Sequence, residues 1–460
     1  MASSSSCPPF TMHKCKPELV TPSIPTPDET KLLSEIDDQN YLRFHYSIIQ
    51  IYQNESSMAN KDPVRVIRQA LAQALVFYYP FAGRLREGRG HKLMVDCTGE
   101  GVMFIEADAD VTLDQFGDDL QPPFIHSKAF MCDVAESEDI KNLPLLLIQV
   151  TRLKCGGFVV STGWNHVMAD GAGLSQFMQA WAEMARGIKT PSISPLWRRE
   201  LLMARDPPHI TCNHREYDQI QDDNLNSPDL DLVHRSFFFG PAQMAALRGL
   251  LPRQLRQCTA FDLITACFWR CRTRALQIDA DEDVRMMCIV NARNRFRPPL
   301  PVGYYGNAFA YPAAMTTAGK LCANPYAYAV ELIHNVKGEV TEEYMHSVAD
   351  LMVLKGRCMP TTVRSCLVSD LTRARFRDVD FGWGKALSGA PAKGSTGPFY
   401  GGTHIVSYKN SKGVDGLVLP VWMPTEAMPM FVKDMEDMMS GNQNQQSHPT
   451  KAASFIRSTM

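Results

Sequence analysis

The sequence lacks the patterns that define several large classes of protein. Its 47 lysine and arginine residues nearly balance 49 aspartate and glutamate residues over 460 positions, and a net charge of −2 provides no basic surface for nucleic acid. The longest apolar runs, residues 74–79 and 417–423, are far too short to span a bilayer, so we expect no membrane segment. Neither a Cys-x-x-Cys pair nor a His-Glu-x-x-His motif occurs, and we therefore expect no metal site.

Cysteine usage and the ends of the chain indicate a cytoplasmic location. The thirteen cysteines are odd in number and irregularly spaced, which is typical of reduced thiols rather than of a disulfide framework. Three that stand in apolar runs, Cys155, Cys267 and Cys288, are expected to be buried. Residues 1–12 have neither the basic flank nor the apolar core of a secretory signal. The last three residues, 458–460, match a peroxisomal tripeptide only weakly, so the peroxisome is kept only as an alternative.

One histidine stands where a buried strand meets a helix. Residues 143–163 are rich in Leu, Val, Thr and Phe and predict strands, whereas the apolar spacing over 174–184 predicts an amphipathic helix that ends near Gly187. His166 lies between these elements, and Asp170 follows four residues later. A histidine at such a corner points into a cleft, and its pKa of about 6.5 suits a general base at neutral pH. The alternative is a buried histidine that is hydrogen-bonded to a backbone carbonyl.

A second motif, Asp380-Phe381-Gly382-Trp383-Gly384, stands towards the end of the chain. A nucleotide-binding loop is disfavoured, because the glycine spacing to Gly389 and the missing helix do not fit a Rossmann fold. Together with His166-x-x-x-Asp170-Gly171, this motif resembles the two signatures of the plant BAHD acyltransferases, which transfer acyl groups from coenzyme A to alcohols or amines. Both motifs stand at the family's relative positions in a chain of the family's length.

The resemblance extends over nearly the whole chain, and only residues 1–12 and 440–460 fall outside it. It is closest to the branch that contains the benzyl alcohol O-benzoyltransferases and the alcohol acyltransferases of fruit esters. The segments that carry it are residues 15–22, 33–38, 78–85, 95–102 and 303–309. The sequence departs from this branch at 122–127 and 398–403, which affects the expected acceptor more than the expected reaction.

Two blocks of mixed strands and helices predict two α/β domains. The first, 1–200, carries the His-x-x-x-Asp motif, a proline-rich crossover linker covers 201–232, and the second domain, 233–440, carries the Asp-Phe-Gly-Trp-Gly motif. The tail, 441–460, begins with a run rich in Gln, Asn and Ser and is predicted to be disordered.

Four elements are predicted with defined bounds from their local patterns. Helices are expected over 62–76 and 259–275, and strands over 284–291 and 417–422. Pro420 lies inside the last strand and therefore predicts either an edge position or a bulge.

The resemblance implies both a fold and a reaction. It implies two chloramphenicol-acetyltransferase-like domains with a solvent channel between them, and His166 near the middle of the channel as the general base. Acyl-CoA, with benzoyl-CoA as a candidate, would enter as a co-substrate, and no cofactor would be permanently bound. A benzyl, aliphatic or alkaloid alcohol would accept the acyl group in a ternary complex. The protein would then be a monomeric enzyme of plant specialised metabolism.

Asp170 has two interpretations. A carboxylate could hold the imidazole of His166 as in a serine hydrolase, but an i+4 carboxylate across a corner need not point back towards the ring. The resemblance implies instead that Asp170 turns away and pairs with an arginine of the second domain, which is matched here by Arg293. The resemblance gives mainly structural roles to the other motif residues, which are Gly171, Asp380, Gly382, Trp383 and Gly384.

Strand alternation suggests an acceptor pocket. Thr162, Trp164 and His166 share one side of an extended strand, so Trp164 would offer an aromatic wall to the alcohol, with Thr162 beside it. The alternative for Trp164 is a core tryptophan.

Two other functions remain alternatives. A hydrolase with a covalent intermediate would need a nucleophile motif, but no Gly-x-Ser-x-Gly elbow occurs and no cysteine stands in such a motif. A non-catalytic binding protein on the same scaffold would be expected to lose His166 or the glycines beside it, and all of them are intact.

Overall fold

The computed structural model describes residues 8–124, 126–132, 140–220, 231–392 and 401–442. Within these ranges the chain forms ten α-helices and eighteen β-strands. The helices are α1 Pro63–Phe77, α2 Leu113–Phe116, α3 Ser127–Phe130, α4 Gly171–Ala185, α5 Pro241–Gly249, α6 Ala260–Ala275, α7 Ala318–Ala323, α8 Tyr326–Gly338, α9 Glu342–Leu354 and α10 Met428–Met439. In the described part of the chain, none of these helices has the length and apolar character that a membrane span requires. Most of the tail that is predicted to be disordered, 443–460, lies outside the described residues.

The strands alternate with these helices along the chain and form two large and two small sheets within the described residues. They are β1 Met12–Lys14, β2 Glu18–Val20, β3 Thr30–Leu32, β4 His45–Tyr52, β5 Arg84–Glu87, β6 Leu93–Asp96, β7 Val102–Ala109, β8 Leu146–Leu153, β9 Phe158–Asn165, β10 Leu232–Phe239, β11 Asp283–Cys288, β12 Val290–Asn291, β13 Phe309–Ala310, β14 Ala313–Thr317, β15 Ser365–Asp370, β16 Ser388–Pro391, β17 Gly402–Lys409 and β18 Asp415–Pro424. The predicted α/β class is confirmed.

The first large sheet positions the histidine motif. Its strands run in the order β1-β7-β8-β9-β4-β16, and β2 also pairs with β7. Strand β9 lies between β8 and β4, and all eight of its residues are buried, so the chain reaches His166 from the middle of the sheet. Helix α4 follows at once and packs against α1, which holds the corner between β9 and α4 in place.

The second large sheet has the order β10-β18-β17-β15-β11-β14. Three strands that lie between its members in sequence do not belong to it. Strands β12 and β13 form a small sheet of their own, and β16 pairs antiparallel with β4 of the first sheet, with Ser388 opposite Ile51. The chain therefore crosses to the first sheet after the second motif and returns at β17. The predicted range 233–440 consequently contributes to both sheets.

Capping explains where the two predicted helices begin. The carboxylate of Asp62 accepts a hydrogen bond from the backbone N–H of Val64 at 3.3 Å at the start of α1. At the start of α6, Thr259 and Asp262 form a reciprocal capping box. Both helix predictions are confirmed, and the predicted strands correspond to β11 with β12 and to β18.

Two details differ from the predictions. Pro420 does not lie on an edge strand, because β18 runs between β10 and β17; of the two predicted positions the edge is wrong, and the bulge stays a prediction. Its ring is tolerated there since the ladder with β17 ends at Val418, so no donor is required from Pro420 on that side. Cys155 is exposed because it lies in the turn between β8 and β9, whereas Cys267 and Cys288 are buried as expected.

The predicted linker packs closely onto the second half of the chain where it is described. The guanidinium of Arg205 donates to the carboxylate of Asp350 in α9 at 2.6 Å, and Asp350 is fully buried. Tyr217 is also buried, and its hydroxyl donates to that of Tyr311 at 2.8 Å. These contacts fix the path of the chain between the two sheets.

Candidate active site

A cavity lies at the end of β9, between the two large sheets. Its walls are largely apolar: the aromatic side chains are Tyr41, Phe44, Tyr46, Trp164, Phe309 and Phe376, and the aliphatic ones are Leu42, Ile48, Ile289 and Leu371. The polar side chains that line it are His166, Asp170, Ser369 and His404. Gly171 also lines it, so the cavity brings together four of the predicted site residues with groups that the sequence did not single out.

His166 is held at the edge of this cavity by its backbone and by aromatic neighbours. Its N–H donates to the carbonyl of Phe44 at 2.9 Å, and the rings of Phe44 and Trp164 both lie 5.6 Å from the imidazole. Burial lowers the pKa of His166 below its ordinary value, although Asp170 and Asn307 favour the protonated form. The imidazole is therefore neutral at physiological pH and able to accept a proton.

The carboxylate of Asp170 is occupied by other partners. It caps α4 by accepting from the N–H of Gly173 at 2.9 Å, and it accepts from the N–H of Ala308 at 3.1 Å. Arg293 donates to both of its oxygens, at 2.7 and 2.9 Å. Burial alone would raise the pKa of Asp170, but the guanidinium of Arg293 and the backbone N–H groups of Gly173 and Ala308 together leave the pKa below its usual value.

This geometry separates the two interpretations of Asp170. Four donors already occupy its two oxygens, so little acceptor capacity is left for the imidazole of His166. Arg293 lies 123 residues away, between β12 and β13, and also donates to the carbonyl of Gly306 at 2.7 Å. The pair therefore ties the corner after β9 to the second half of the chain.

Glycine is required in this corner by a close backbone approach. A Cβ atom at Gly173 would lie 1.9 Å from the carbonyl oxygen of Tyr305. Gly171 has more room, because a Cβ atom there would meet Leu371 at 3.4 Å. The first turn of α4 can thus lie against the segment that carries Asn307.

Asn307 is a residue to which the sequence analysis gave no role. It is fully buried, and its amide nitrogen donates at 2.9 Å to the carbonyl of His166 and at 2.9 Å to the carboxylate of Asp37. Asp37 in turn lies 3.2 Å from the guanidinium of Arg199, which donates to the carbonyl of Met168 at 2.7 Å. This buried network holds the backbone at His166 and at Met168. Asn307 lies within 303–309, one of the segments that carry the family resemblance.

The second motif is a tight turn that docks on β9. The carboxylate of Asp380 accepts from the N–H of Gly382 at 2.7 Å and from that of Gly384 at 2.9 Å, and both glycines have positive φ, at 110° and 83°. The ring of Trp383 packs edge-on against Phe158 at 5.2 Å. None of these four motif residues is among the residues that line the described cavity.

Trp164 and Thr162 differ in their position although they share a strand. Trp164 is 2% exposed, its indole N–H donates to the carbonyl of Ala169 at 2.8 Å, and the same side chain lines the cavity. It is thus both a core residue and part of the cavity wall. Thr162 is fully buried between Ile48 and Ile148 in the sheet and does not line the described cavity, because the cavity opens only at the end of β9.

A serine, a histidine and a glutamate meet elsewhere, but without access to a substrate. The hydroxyl of Ser347 lies 2.8 Å from Nε2 of His214, and Nδ1 of His214 lies 3.3 Å from the carboxylate of Glu216. Ser347 is fully buried, and its oxygen already accepts from the N–H groups of two linker residues, Thr211 and Cys212, both at 3.0 Å. These bonds fasten the linker to α9 and leave no approach for a nucleophilic attack.

Comparison with known proteins agrees with this geometry. A family model described as the transferase family matches residues 10–438. The chain is 59% identical to a benzyl alcohol O-benzoyltransferase of Nicotiana tabacum and 53% identical to a 13-hydroxylupanine O-tigloyltransferase of Lupinus albus. The first match covers 94% of this chain and 94% of the tobacco protein, and the second covers 93% of this chain and 95% of the lupin protein. The crystal structure of vinorine synthase superimposes with a TM-score of 0.72 at 22% identity, covering 94% of this chain and 99% of that one, which shows a shared fold.

Proposed function

The chain belongs to the transferase family as a BAHD acyltransferase that esterifies alcohols with acyl groups from coenzyme A, and we propose that His166 is the general base of this reaction. The proposal rests on the different surroundings of the two motif side chains that follow β9. The imidazole of His166 borders an aromatic cavity, whereas the carboxylate of Asp170 is bound to Arg293.

His166 would act directly on the alcohol. Its neutral imidazole takes the hydroxyl proton as the alcohol oxygen attacks the thioester carbonyl, and the imidazolium returns that proton to the departing thiolate as the carbon–sulfur bond breaks. Because burial lowers the pKa of His166, the imidazole starts in the deprotonated form that this role needs. No acyl-enzyme is required when both substrates are bound together.

Asp170 and Arg293 would support this chemistry without taking part in it. Their ion pair joins the corner after β9 to the segment between β12 and β13, and the cavity is lined from both sides of that joint. Asn307 would add a second support by holding the carbonyl of His166 itself. We assign Asp380, Gly382, Trp383 and Gly384 to a structural turn, because Asp380 bonds within its own loop.

We propose an aromatic substrate pair, with benzoyl-CoA as donor and benzyl alcohol as acceptor. Six aromatic side chains are the largest group among the residues that line the cavity, and aromatic rings favour flat apolar ligands through edge and face contacts. The name of the tobacco relative points to the same chemistry. We also propose that the enzyme acts as a monomer, since residues of one chain line the cavity, and that it acts in the cytoplasm, since its cysteines are odd in number and irregularly spaced.

The direct test is product analysis by mass spectrometry. The purified protein is incubated with a matrix of acyl-CoA thioesters and alcohols, including benzoyl-CoA, hexanoyl-CoA, benzyl alcohol and hexan-1-ol. We expect esters and free coenzyme A, with benzyl benzoate among the best products. Release of coenzyme A with free acid and no ester would support a thioester hydrolase instead.

The order of events has its own test. A ternary complex predicts that initial-rate plots at several fixed alcohol concentrations intersect. Parallel lines would indicate a covalent acyl-enzyme and would contradict direct attack.

A further inference from the structure

Tyr46 and His404 come from different sheets and are in contact in the cavity wall. Tyr46 belongs to β4 of the first sheet and His404 to β17 of the second, and the phenol oxygen lies 2.5 Å from Nε2 of the imidazole. Both side chains line the cavity together with His166. Neither residue is part of the two sequence motifs.

The pair is surrounded by rings that fix its orientation. The ring of Tyr46 packs edge-on against Trp164 at 5.3 Å and lies 6.2 Å from the ring of His166. It also lies 5.7 Å from the ring of His404, which is 3% exposed. Because each ring is anchored on a strand of a different sheet, the hydrogen bond holds this part of the wall at a set width.

The hydrogen bond also determines which groups of Tyr46 and His404 a ligand in the cavity can contact. Burial raises the pKa of Tyr46 well above its usual range, so the phenol stays neutral and its polar group is directed to the imidazole. With these two polar atoms facing each other, the part of the wall that Tyr46 and His404 form presents the edges and faces of their rings. A flat ring fits such a wall, whereas a flexible alkyl chain gains fewer contacts and loses more conformational freedom on binding.

We propose that the Tyr46–His404 pair determines substrate specificity by favouring a ring-bearing group over an aliphatic chain of equal carbon number. This inference rests on the proposed function. The ring can belong to the alcohol or to the acyl group, and the shared chemistry is an aromatic ring seated beside the base. Loss of the bond would let the wall move and would relax this preference.

The experiment compares kcat/KM ratios in two arms. In the first arm benzoyl-CoA is fixed and benzyl alcohol is compared with heptan-1-ol. In the second arm benzyl alcohol is fixed and benzoyl-CoA is compared with heptanoyl-CoA. The arm in which the ratio changes identifies the half of the ester that the pair contacts.

Four variants distinguish the effect of the Tyr46–His404 hydrogen bond from that of the two rings. Tyr46→Phe removes only the hydroxyl, His404→Leu removes the partner, and the double variant tests their coupling. His404→Gln keeps a hydrogen-bonding group near the position of Nε2 and serves as the conservative rescue. Tyr326→Phe is the matched control, because that buried phenol donates to the carbonyl of Leu263 and does not line the described cavity.

We expect wild type to prefer the ring-bearing substrate in at least one arm. Tyr46→Phe and His404→Leu should each lower that ratio about tenfold, the double variant should lower it no further, and His404→Gln should stay near wild type. Tyr326→Phe should lower the melting temperature without changing the ratio.

Two results would count against the proposal, and they differ from each other. If Tyr46→Phe is folded and active but changes neither ratio by more than about twofold, the pair does not determine specificity while the proposed function stands. If wild type forms no ester with any pair of substrates, the proposed function itself fails. Should His404→Leu not fold, Tyr46→Phe alone decides the question.

Discussion

Asp170 and Arg293, which are 123 residues apart in sequence, form a bidentate ion pair in which the two guanidinium nitrogens lie 2.7 and 2.9 Å from the two carboxylate oxygens. Asp170 follows the histidine by four positions, yet its carboxylate is directed to the second half of the chain. Asp170 therefore joins two distant parts of the fold, and the chemistry is proposed for His166 alone.

Replacement of Asp170 by Asn should lower stability and activity together. The change leaves the partly buried guanidinium of Arg293 without its counter-charge. Breaking a fully buried pair in this way typically costs about 3–5 kcal/mol, which is the upper limit for this pair. Thermal melts and steady-state rates measured on the same preparation check this. A variant that melts like wild type but has lost its turnover would show that Asp170 acts on His166 directly.

Replacement of Asn307 by Ala should lower kcat more than it raises KM for the donor. The amide holds the carbonyl of His166 and the carboxylate of Asp37, so its loss lets the base shift and leaves Asp37 with fewer donors. We expect a loss of about tenfold or more in kcat with a lower melting temperature. Unchanged kcat in a destabilised protein would limit Asn307 to a role in folding.

On the acidic side of the pH profile of kcat/KM, the apparent pKa should lie below 6.5, the ordinary pKa of histidine. Burial lowers the pKa of His166 despite the nearby carboxylates of Asp170 and Asp37, so kcat/KM should fall only when the pH drops through that lowered pKa. At pH values between this lowered pKa and 6.5, His166 binds a proton in the unfolded chain but not in the folded chain. The free energy of unfolding should therefore fall as the pH drops below 6.5. A limb at or above 6.5 would contradict the account of this site.

Trp164→Leu should change the ranking of alcohols and leave the apparent affinity for the acyl-CoA donor nearly constant. The indole lines the cavity 5.6 Å from the ring of His166, so its removal widens the cavity beside the proposed base, where we expect the alcohol to bind. Trp164→Phe keeps an aromatic wall and is the control. An altered donor preference with an unchanged ranking of alcohols would place Trp164 outside the acceptor pocket.

Local sequence patterns predict much of this molecule because they act over short distances. The spacing around His166 predicts β9 and α4, and the caps at Asp62 and Thr259 fix the starts of α1 and α6. Pro420 shows what local patterns cannot predict. A proline is tolerated at this position because the pairing between β17 and β18 ends at Val418, and no local pattern indicates where that pairing ends.

The cavity itself is harder to predict because its members meet only through tertiary structure. Tyr46 and His404 are separated by 358 residues and carry no motif, and their contact depends on how the two sheets face each other. Thr162 was predicted beside Trp164 from strand alternation, but alternation does not reveal how far along β9 the cavity reaches. Arg293 was matched to Asp170 through the family resemblance rather than through any spacing in the chain.

The most direct test of the central claim compares wild type with His166→Ala in ester formation from benzoyl-CoA and benzyl alcohol. We predict that the variant keeps its melting temperature and its binding of benzoyl-CoA but loses about 10²–10⁴ in turnover, because only the base is removed. The intact mass of wild type after incubation with the donor alone should show no added acyl group. A folded His166→Ala variant with near-native turnover would contradict the assignment of His166 as the base.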